Sequence, residues 1–301
     1  MTRGRDCHVA SLLAMTKQFT ARAPFEIHEK KEKDMVSFVA TPIGNLKDIT
    51  LRALDTLKEA DVIFCEDTRH TIKLLNAYEI KKPLYACHKF NETEAAAKIL
   101  EASRRGEHVV VVSDAGTPVV SDPGNIVCKT LREAGEPYTL IPGACAFVAA
   151  LVLSALPAGR FAFIGFLPEK VSEKKAVLEK YKDSDLTLAF HSAPQDVDKD
   201  IKAMYEVFGE RNAAAVREIT KLHEETVNFR LSEGLLGEKR GEYVLVVEGA
   251  KEQASPLNAL SEKEHIQHYM RAGLDKKEAL KRAAKDRGVS KSELYPFAID
   301  L

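Results

Sequence analysis

Short runs of apolar, largely β-branched residues alternate along this chain with longer stretches whose apolar positions recur three and four residues apart. Residues 36–40, 61–65, 109–112 and 138–141 form such runs. They are too short for helices and are bounded by Gly, Pro, Asn or Asp, which predicts buried strands. A first helix directs Leu51, Leu54 and Leu57 inward, with Asp48 as its cap. A polar segment, Glu66-Asp67-Thr68-Arg69, leads to Leu74 and Leu75, and Asn91 with Glu94 opens a helix that ends near Arg105 and Gly106. A further helix follows Pro142-Gly143, and its apolar residues 149–156 suit a packed core segment. The alternation predicts an α/β domain over 35–156, a mostly parallel sheet with helices on both faces.

Leu156-Pro157-Ala158-Gly159-Arg160 ends that pattern and predicts an interdomain break. Beyond it, strands at 161–164, 186–190, 213–217 and 243–247 and a helical span at 196–208 predict a second α/β domain over 160–250, with room for antiparallel pairs. Residues 258–301 read as a helical, helix-turn-helix-like tail, with segments 262–271, 276–287 and 290–298 and a capping box at Ser290 and Glu293. Lys276, Lys277, Lys281, Arg282, Lys285 and Arg287 make its middle helix basic, although Glu278 and Asp286 suit an ordinary solvated helix equally. Residues 1–34 read as a leader, disordered or mis-started, because Met35 stands immediately before the first strand. Their Arg3, Arg5, Lys17 and Arg22 faintly resemble an organellar transit peptide without its amphipathic period.

At 301 residues the chain is long enough for two cores. Its 44 Lys and Arg nearly balance 45 Asp and Glu, which excludes a whole-molecule positive field as the basis of nucleic-acid binding; any such contact is local. The cysteines Cys7, Cys65, Cys87, Cys128 and Cys145 are odd in number and lack C-x-x-C spacing, which argues against a disulfide framework and a zinc site. No stretch approaches the roughly 18 apolar residues of a spanning helix. The expectation is a soluble cytoplasmic protein with no metal and no membrane partner.

The chemistry is concentrated in turns that follow strands. Ser113 to Gly124 carries Asp114, Gly116, Thr117, Pro118, Val120, Ser121, Asp122 and Pro123, where an open sheet binds its ligands. Thr41-Pro42-Ile43-Gly44-Asn45-Leu46 and Pro142-Gly143-Ala144-Cys145-Ala146 end two other strands. The first loop lacks the G-x-G-x-x-G spacing, and no H-E-x-x-H or G-x-S-x-G occurs. A pocket lined by backbone and hydroxyl groups remains.

Five blocks in order, Val39 to Leu46, Cys65 to His70, Ser113 to Gly124, Gly165-Phe166-Leu167-Pro168 and Arg217 to Glu224, resemble the ribosomal RNA small subunit methyltransferase I family, from Met35 to the C-terminus. The resemblance implies a two-domain tetrapyrrole methylase-like (class III methyltransferase) fold, a homodimer, and S-adenosylmethionine held in the interdomain cleft. It also implies 2'-O-methylation of cytidine 1402 of 16S ribosomal RNA. Carried over by motif, donor contacts fall on Pro42, Ile43, Gly116, Thr117, Pro118, Val120, Cys145 and Ala146, with His191, Val216 and Arg217 from the second domain. Glu66 and Asp67 are the candidate general bases for the ribose hydroxyl. Asn45, Arg69, Glu218, Lys221, His223 and Glu224 are candidate substrate contacts. Two positions depart from the family: His191-Ser192-Ala193-Pro194-Gln195-Asp196 replaces its usual Tyr-Glu-Ser-Pro-His-Arg, and Cys145 replaces a serine. Two other readings stand beside this one: a small-molecule methyltransferase of the same fold, and a non-catalytic RNA-binding or assembly module.

Overall fold

The structure, a computed structural model, describes residues 35–251 and 256–301. The leader read at 1–34, with Cys7, lies outside the described residues. The chain divides into two compact units, one running to Pro42 and resuming over Leu46–Ala144, the other made of Ile43–Asn45 and Cys145–Leu301.

In the first unit β1 (Val36–Val39), β2 (Val62–Cys65), β3 (Leu84–Ala86), β4 (Val109–Val112) and β5 (Tyr138–Ile141) form one sheet in the order β3-β2-β4-β1-β5. All pairs are parallel, so every carboxyl end lies at one edge. The helices α1 (Leu51–Glu59), α2 (Thr68–Ala77), α3 (Glu92–Arg104) and α4 (Asn125–Glu133) connect these strands. Side chains alternate across a strand, and both faces of the three central strands β2, β4 and β1 are covered. Val36, Phe38, Phe64, Val109 and Val111 meet Ile99 of α3 and Leu131 of α4 on one face. Val39, Ile63, Val110 and Val112 meet Leu57 of α1 and Leu75 of α2 on the other. That double burial is why these strands read as unbroken apolar runs.

Local details differ from the sequence expectation where a competing partner intervenes. α1 is capped by Thr50, whose hydroxyl accepts from Ala53 N–H at 3.1 Å, and not by Asp48. Its inward face is Ala53, Thr56 and Leu57 with Leu54 packed at its margin, as expected for Leu54 and Leu57, while Leu51 is 81% exposed. Asn91 stands at the start of α3, yet its side chain accepts from His88 N–H at 2.8 Å instead of capping the helix. β3 escapes the sequence pattern because it is a short, exposed edge strand.

In the second unit β6 (Phe161–Phe166), β7 (Thr187–Ser192), β8 (Asn212–Arg217), β9 (Glu225–Arg230) and β10 (Tyr243–Val247) form a sheet ordered β6-β7-β10-β8-β9. β6 and β7 are parallel and the remaining pairs antiparallel. α5 (Ala146–Leu153) belongs to this unit: its Ala150 and Leu151 pack with Ala214, Val216, Val244 and Val246. The units therefore part at Ala144 and Cys145, ahead of the break expected at 156–160, because the apolar helix before that proline finds its burial on the second sheet. The opposite face packs against α6 (Val171–Glu179) and α7 (Val197–Phe208), through Leu178, Ile201 and Met204.

The tail folds as α8 (Glu262–Arg271), α9 (Lys276–Arg287) and α10 (Lys291–Leu294), the last continued by a 3-10 turn at Tyr295–Ala298. Ile266, Leu280, Ala283, Ala284 and Leu294 form its core. A reciprocal capping box lies at Ser261 and Glu264, and Ser290 accepts from Glu293 N–H at 3.3 Å. Arg287 turns inward and donates to Glu262 and His265, both at distances of 3.1–3.2 Å, whereas the other basic residues of α9 are exposed.

Inside the second unit the Lys174 ammonium of α6 donates to the Asp200 carboxylate of α7, and Asp200 accepts from Ser192 Oγ of β7 at 2.6 Å. Both charges are buried, with side-chain exposures of 2% and 5%. Breaking such a pair from one side strands a buried charge. Asp200→Ala is expected to cost about 3–5 kcal/mol, read as a lower urea midpoint, and Asp200→Leu combined with Lys174→Met to recover most of it.

Candidate active site

Thr41, just past β1, forms two reciprocal backbone hydrogen bonds with Gly116 of the turn after β4, at 2.9 and 3.0 Å. Thr41 Oγ1 also donates to Ser113 O at 3.4 Å, and Thr117 Oγ1 to Ala144 O at 3.2 Å. From the β2 side, Asp67 N–H donates to Asp114 Oδ1 at 3.0 Å. Within the first unit the structure thus brings together Pro42, Glu66, Asp67, Gly116, Thr117, Pro118 and Val120 at one sheet edge. Gly116 has φ of 80°, a conformation that favours glycine.

Val119 and Ser121 also lie in the left-handed region, at φ of 76° and 68°. For a β-branched residue this is an outlier, and each such residue costs about 1–3 kcal/mol. Strain of this kind persists where surroundings over-determine it and collects at ligand sites. The holding group is Glu92 of α3, a buried carboxylate that accepts from Gly124 N–H at 2.8 Å and Ile126 N–H at 2.7 Å. It caps α4 from another helix. Gly124, at φ of 129°, leaves room for Val119: a Cβ there would stand 2.8 Å from Val119 Cγ2. Glu92 escaped sequence reasoning because its partners lie more than thirty residues away, with no local signature.

Neighbouring carboxylates are tuned apart. Burial, reinforced by Asp122 and Asp114, raises the Glu66 pKa above its ordinary value. Burial likewise raises that of Asp122. Asp67 is drawn down to about 2 by the Arg69 guanidinium, which donates to it at 2.7 and 3.1 Å, and by Arg69 N–H at 2.8 Å. Asp67 is the N-cap of α2 and a weak base, paired at the surface with the exposed Arg69. Glu66 is the better proton acceptor of the two.

In the second unit Gly44 closely approaches the block after β8: a Cβ on it would lie 2.4 Å from Lys221 Cγ and 3.0 Å from Ile219 O. Ile43, Ala146 and Val216 join one apolar cluster, which leaves Val216 only its backbone to offer a ligand. Cys145 stands before α5, its thiol pKa raised by burial. Lys221 bridges Glu218 and Glu242 at 3.0 Å each, and Glu218 is held low chiefly by Glu242 N–H. Glu224 accepts from Thr220 N–H, and Arg217 donates to Glu225, both at 2.6 Å. Asn45 and His223 are exposed in this unit. His191 lies between Phe163 and Phe166, ring centroids 5.1 and 5.2 Å away, and burial lowers its pKa. The departing segment after it is structurally occupied, Ser192 with Asp200 and Asp196 with Lys199 at 3.1 Å. Among the described residues no cluster of three metal-ligating side chains occurs, and no helix is long and apolar enough to cross a membrane.

A family model of tetrapyrrole (corrin/porphyrin) methylases matches residues 35–234. Ribosomal RNA small subunit methyltransferase I of Bacillus subtilis (strain 168) is 41% identical over 283 residues, 91% of this chain and 97% of that protein. Among solved structures, the methyltransferase CobJ superposes with a TM-score of 0.55 at 21% identity, covering 72% of this chain and 94% of CobJ. Uroporphyrin-III C-methyl transferase from Thermus thermophilus, solved with S-adenyl homocysteine, gives a TM-score of 0.50 at 21% identity over 70% of this chain and 96% of that one. The family model over residues 35–234 and the similarity along nearly the whole length lead to one assignment: the chain belongs to the ribosomal RNA small subunit methyltransferase I family of the tetrapyrrole methylases.

Proposed function

We propose that this chain transfers a methyl group from S-adenosylmethionine to the ribose 2'-hydroxyl of a cytidine in 16S ribosomal RNA, cytidine 1402 by family resemblance. The observation that carries this reading is the 41% identity to a ribosomal RNA methyltransferase across 97% of that protein's length. By the same resemblance it works as a cytoplasmic homodimer on the small ribosomal subunit.

In the first unit donor binding is assigned to Pro42, Gly116, Thr117, Pro118 and Val120. Their backbone is fixed by the Thr41–Gly116 bridge and the Glu92 cap, so little order has to be gained on binding. Asp114, Asp122 and Glu66 give this edge an acidic character that fits a cationic sulfonium. In the second unit the same role is assigned to Ile43, Cys145, Ala146, His191, Val216 and Arg217, and RNA contact to Asn45, Glu218, Lys221, His223 and Glu224. Arg69, exposed beside Asp67, is assigned to RNA in the first unit.

The bound donor supplies an activated methyl group, so the protein's task is to align the ribose oxygen with it and to accept the hydroxyl proton. Glu66 takes that proton, since its raised pKa brings it nearer the working pH than an ordinary carboxylate, while Asp67 serves as the cap of α2.

Ribosomes from a deletion strain are expected to lack one ribose methyl at the decoding-site cytidine and to regain it with this chain; an unchanged methylation map would overturn the assignment. Glu66→Gln is expected to lower kcat by about 10²–10⁴-fold with little change in donor KM, and Asp67→Asn to act mainly on stability. Because a base works deprotonated, the rate should fall as pH drops through the raised Glu66 pKa, and that limb should vanish in Glu66→Gln. Gly116→Ala forces a side chain into the left-handed region and should weaken donor binding about tenfold by calorimetry, with Pro118→Ala nearer wild type.

A further inference from the structure

The chain leaving β3 emerges at the same sheet edge as Glu66. β3 pairs in parallel with β2, and Cys87 N–H donates to Cys65 O at 2.7 Å. Three residues on, Phe90 is 86% exposed, more than any other phenylalanine or tyrosine among the described residues. Its ring neighbours are His88, edge-on with centroids 6.1 Å apart, and Lys89, whose ammonium lies 5.0 Å from its centroid. The loop is firmly tied. Asn91 Oδ1 accepts from His88 N–H at 2.8 Å, Asn91 Nδ2 donates to Ala86 O at 3.0 Å, and Asn91 N–H donates to His88 O at 2.9 Å.

An exposed aromatic ring on a tied loop, at the sheet edge that also carries Glu66, offers a face to a planar partner. We propose that Phe90, with Lys89, is a stacking platform for a base of single-stranded ribosomal RNA adjoining the ribose that is presented to Glu66. This rests on the ribosomal RNA methyltransferase reading above. Every base has a π-face, so such a platform accepts the strand without reading its sequence. Lys89 adds the complementary charge for a phosphate, and in a chain of net charge −1 phosphate contacts have to be local ones of this kind. The tie to Asn91 holds the loop backbone before the strand arrives, which limits the order that has to be gained on binding.

The chain contains no tryptophan, so Phe90→Trp installs a single fluorescent reporter at the platform. Titrating the full-length variant with a short single-stranded RNA should quench that fluorescence, and an abasic oligonucleotide of equal length should quench it far less. Phe90→Ala should raise KM for small ribosomal subunits about tenfold, with Phe90→Tyr within about twofold of wild type. Donor KM and the mass by light scattering should not change. Lys89→Gln should reduce the salt slope of RNA binding by about one. An unchanged subunit KM in Phe90→Ala, equal quenching by the abasic strand, or a changed oligomeric mass, which would mark the ring as a contact between two copies of this chain, would overturn the platform. Failure of the wild-type protein to methylate subunits would instead overturn the methyltransferase reading, since the quenching measurement does not depend on turnover.

Discussion

Two hydrogen bonds between Thr41 and Gly116 hold the loop after β1 against the turn after β4, and most of the proposed chemistry depends on that join. A parallel sheet delivers its carboxyl ends to one edge but leaves the loops there free to diverge. The join removes that freedom for Pro42 on one side and for Thr117 and Pro118 on the other. Glu92 then fixes the far end of the same turn at Gly124. Held at both ends, the turn tolerates Val119 and Ser121 in conformations that an unrestrained loop would abandon.

The same edge shows how environment separates groups that sequence presents as equals. Glu66 and Asp67 are adjacent carboxylates. One is partly buried near two other acids and its proton affinity rises; the other is gripped by Arg69 and loses affinity. Backbone direction decides this, because Asp67 begins α2 and its side chain turns to the helix's own amides and to Arg69, while Glu66 still belongs to the strand end. A carboxylate of raised proton affinity and a helix cap result from neighbouring positions.

In the second unit the charged block after β8 is largely self-satisfied. Arg217, Glu218, Lys221 and Glu224 pair within it or with Glu225 and Glu242. These contacts shape the loop that Gly44 approaches. Any RNA contact there works through a pre-arranged network, which favours orientation over raw charge.

The sequence by itself determined the elements whose burial is complete. The valine run of β4, the apolar β1, and the strand at Tyr243–Val247 are legible because both faces of each are covered, so nothing polar interrupts them. The same holds for the turn residues, since glycine and proline mark backbone conformations locally, and for the family, whose motif blocks stand in order along the chain. Edge strands β3 and β9 are not legible for the converse reason: β3 is only three residues long and largely exposed, and β9 is exposed with polar residues interleaved. Only the tertiary structure decided that α5 packs on the second sheet, that Glu92 reaches across to cap α4, that Lys174 and Asp200 pair in the interior, and that Glu66 and Asp67 part in acidity. Apart from the local pairing of Asp67 with Arg69, each depends on groups far apart in the chain meeting at short range, where burial and hydrogen bonding act on atoms that sequence order does not place together.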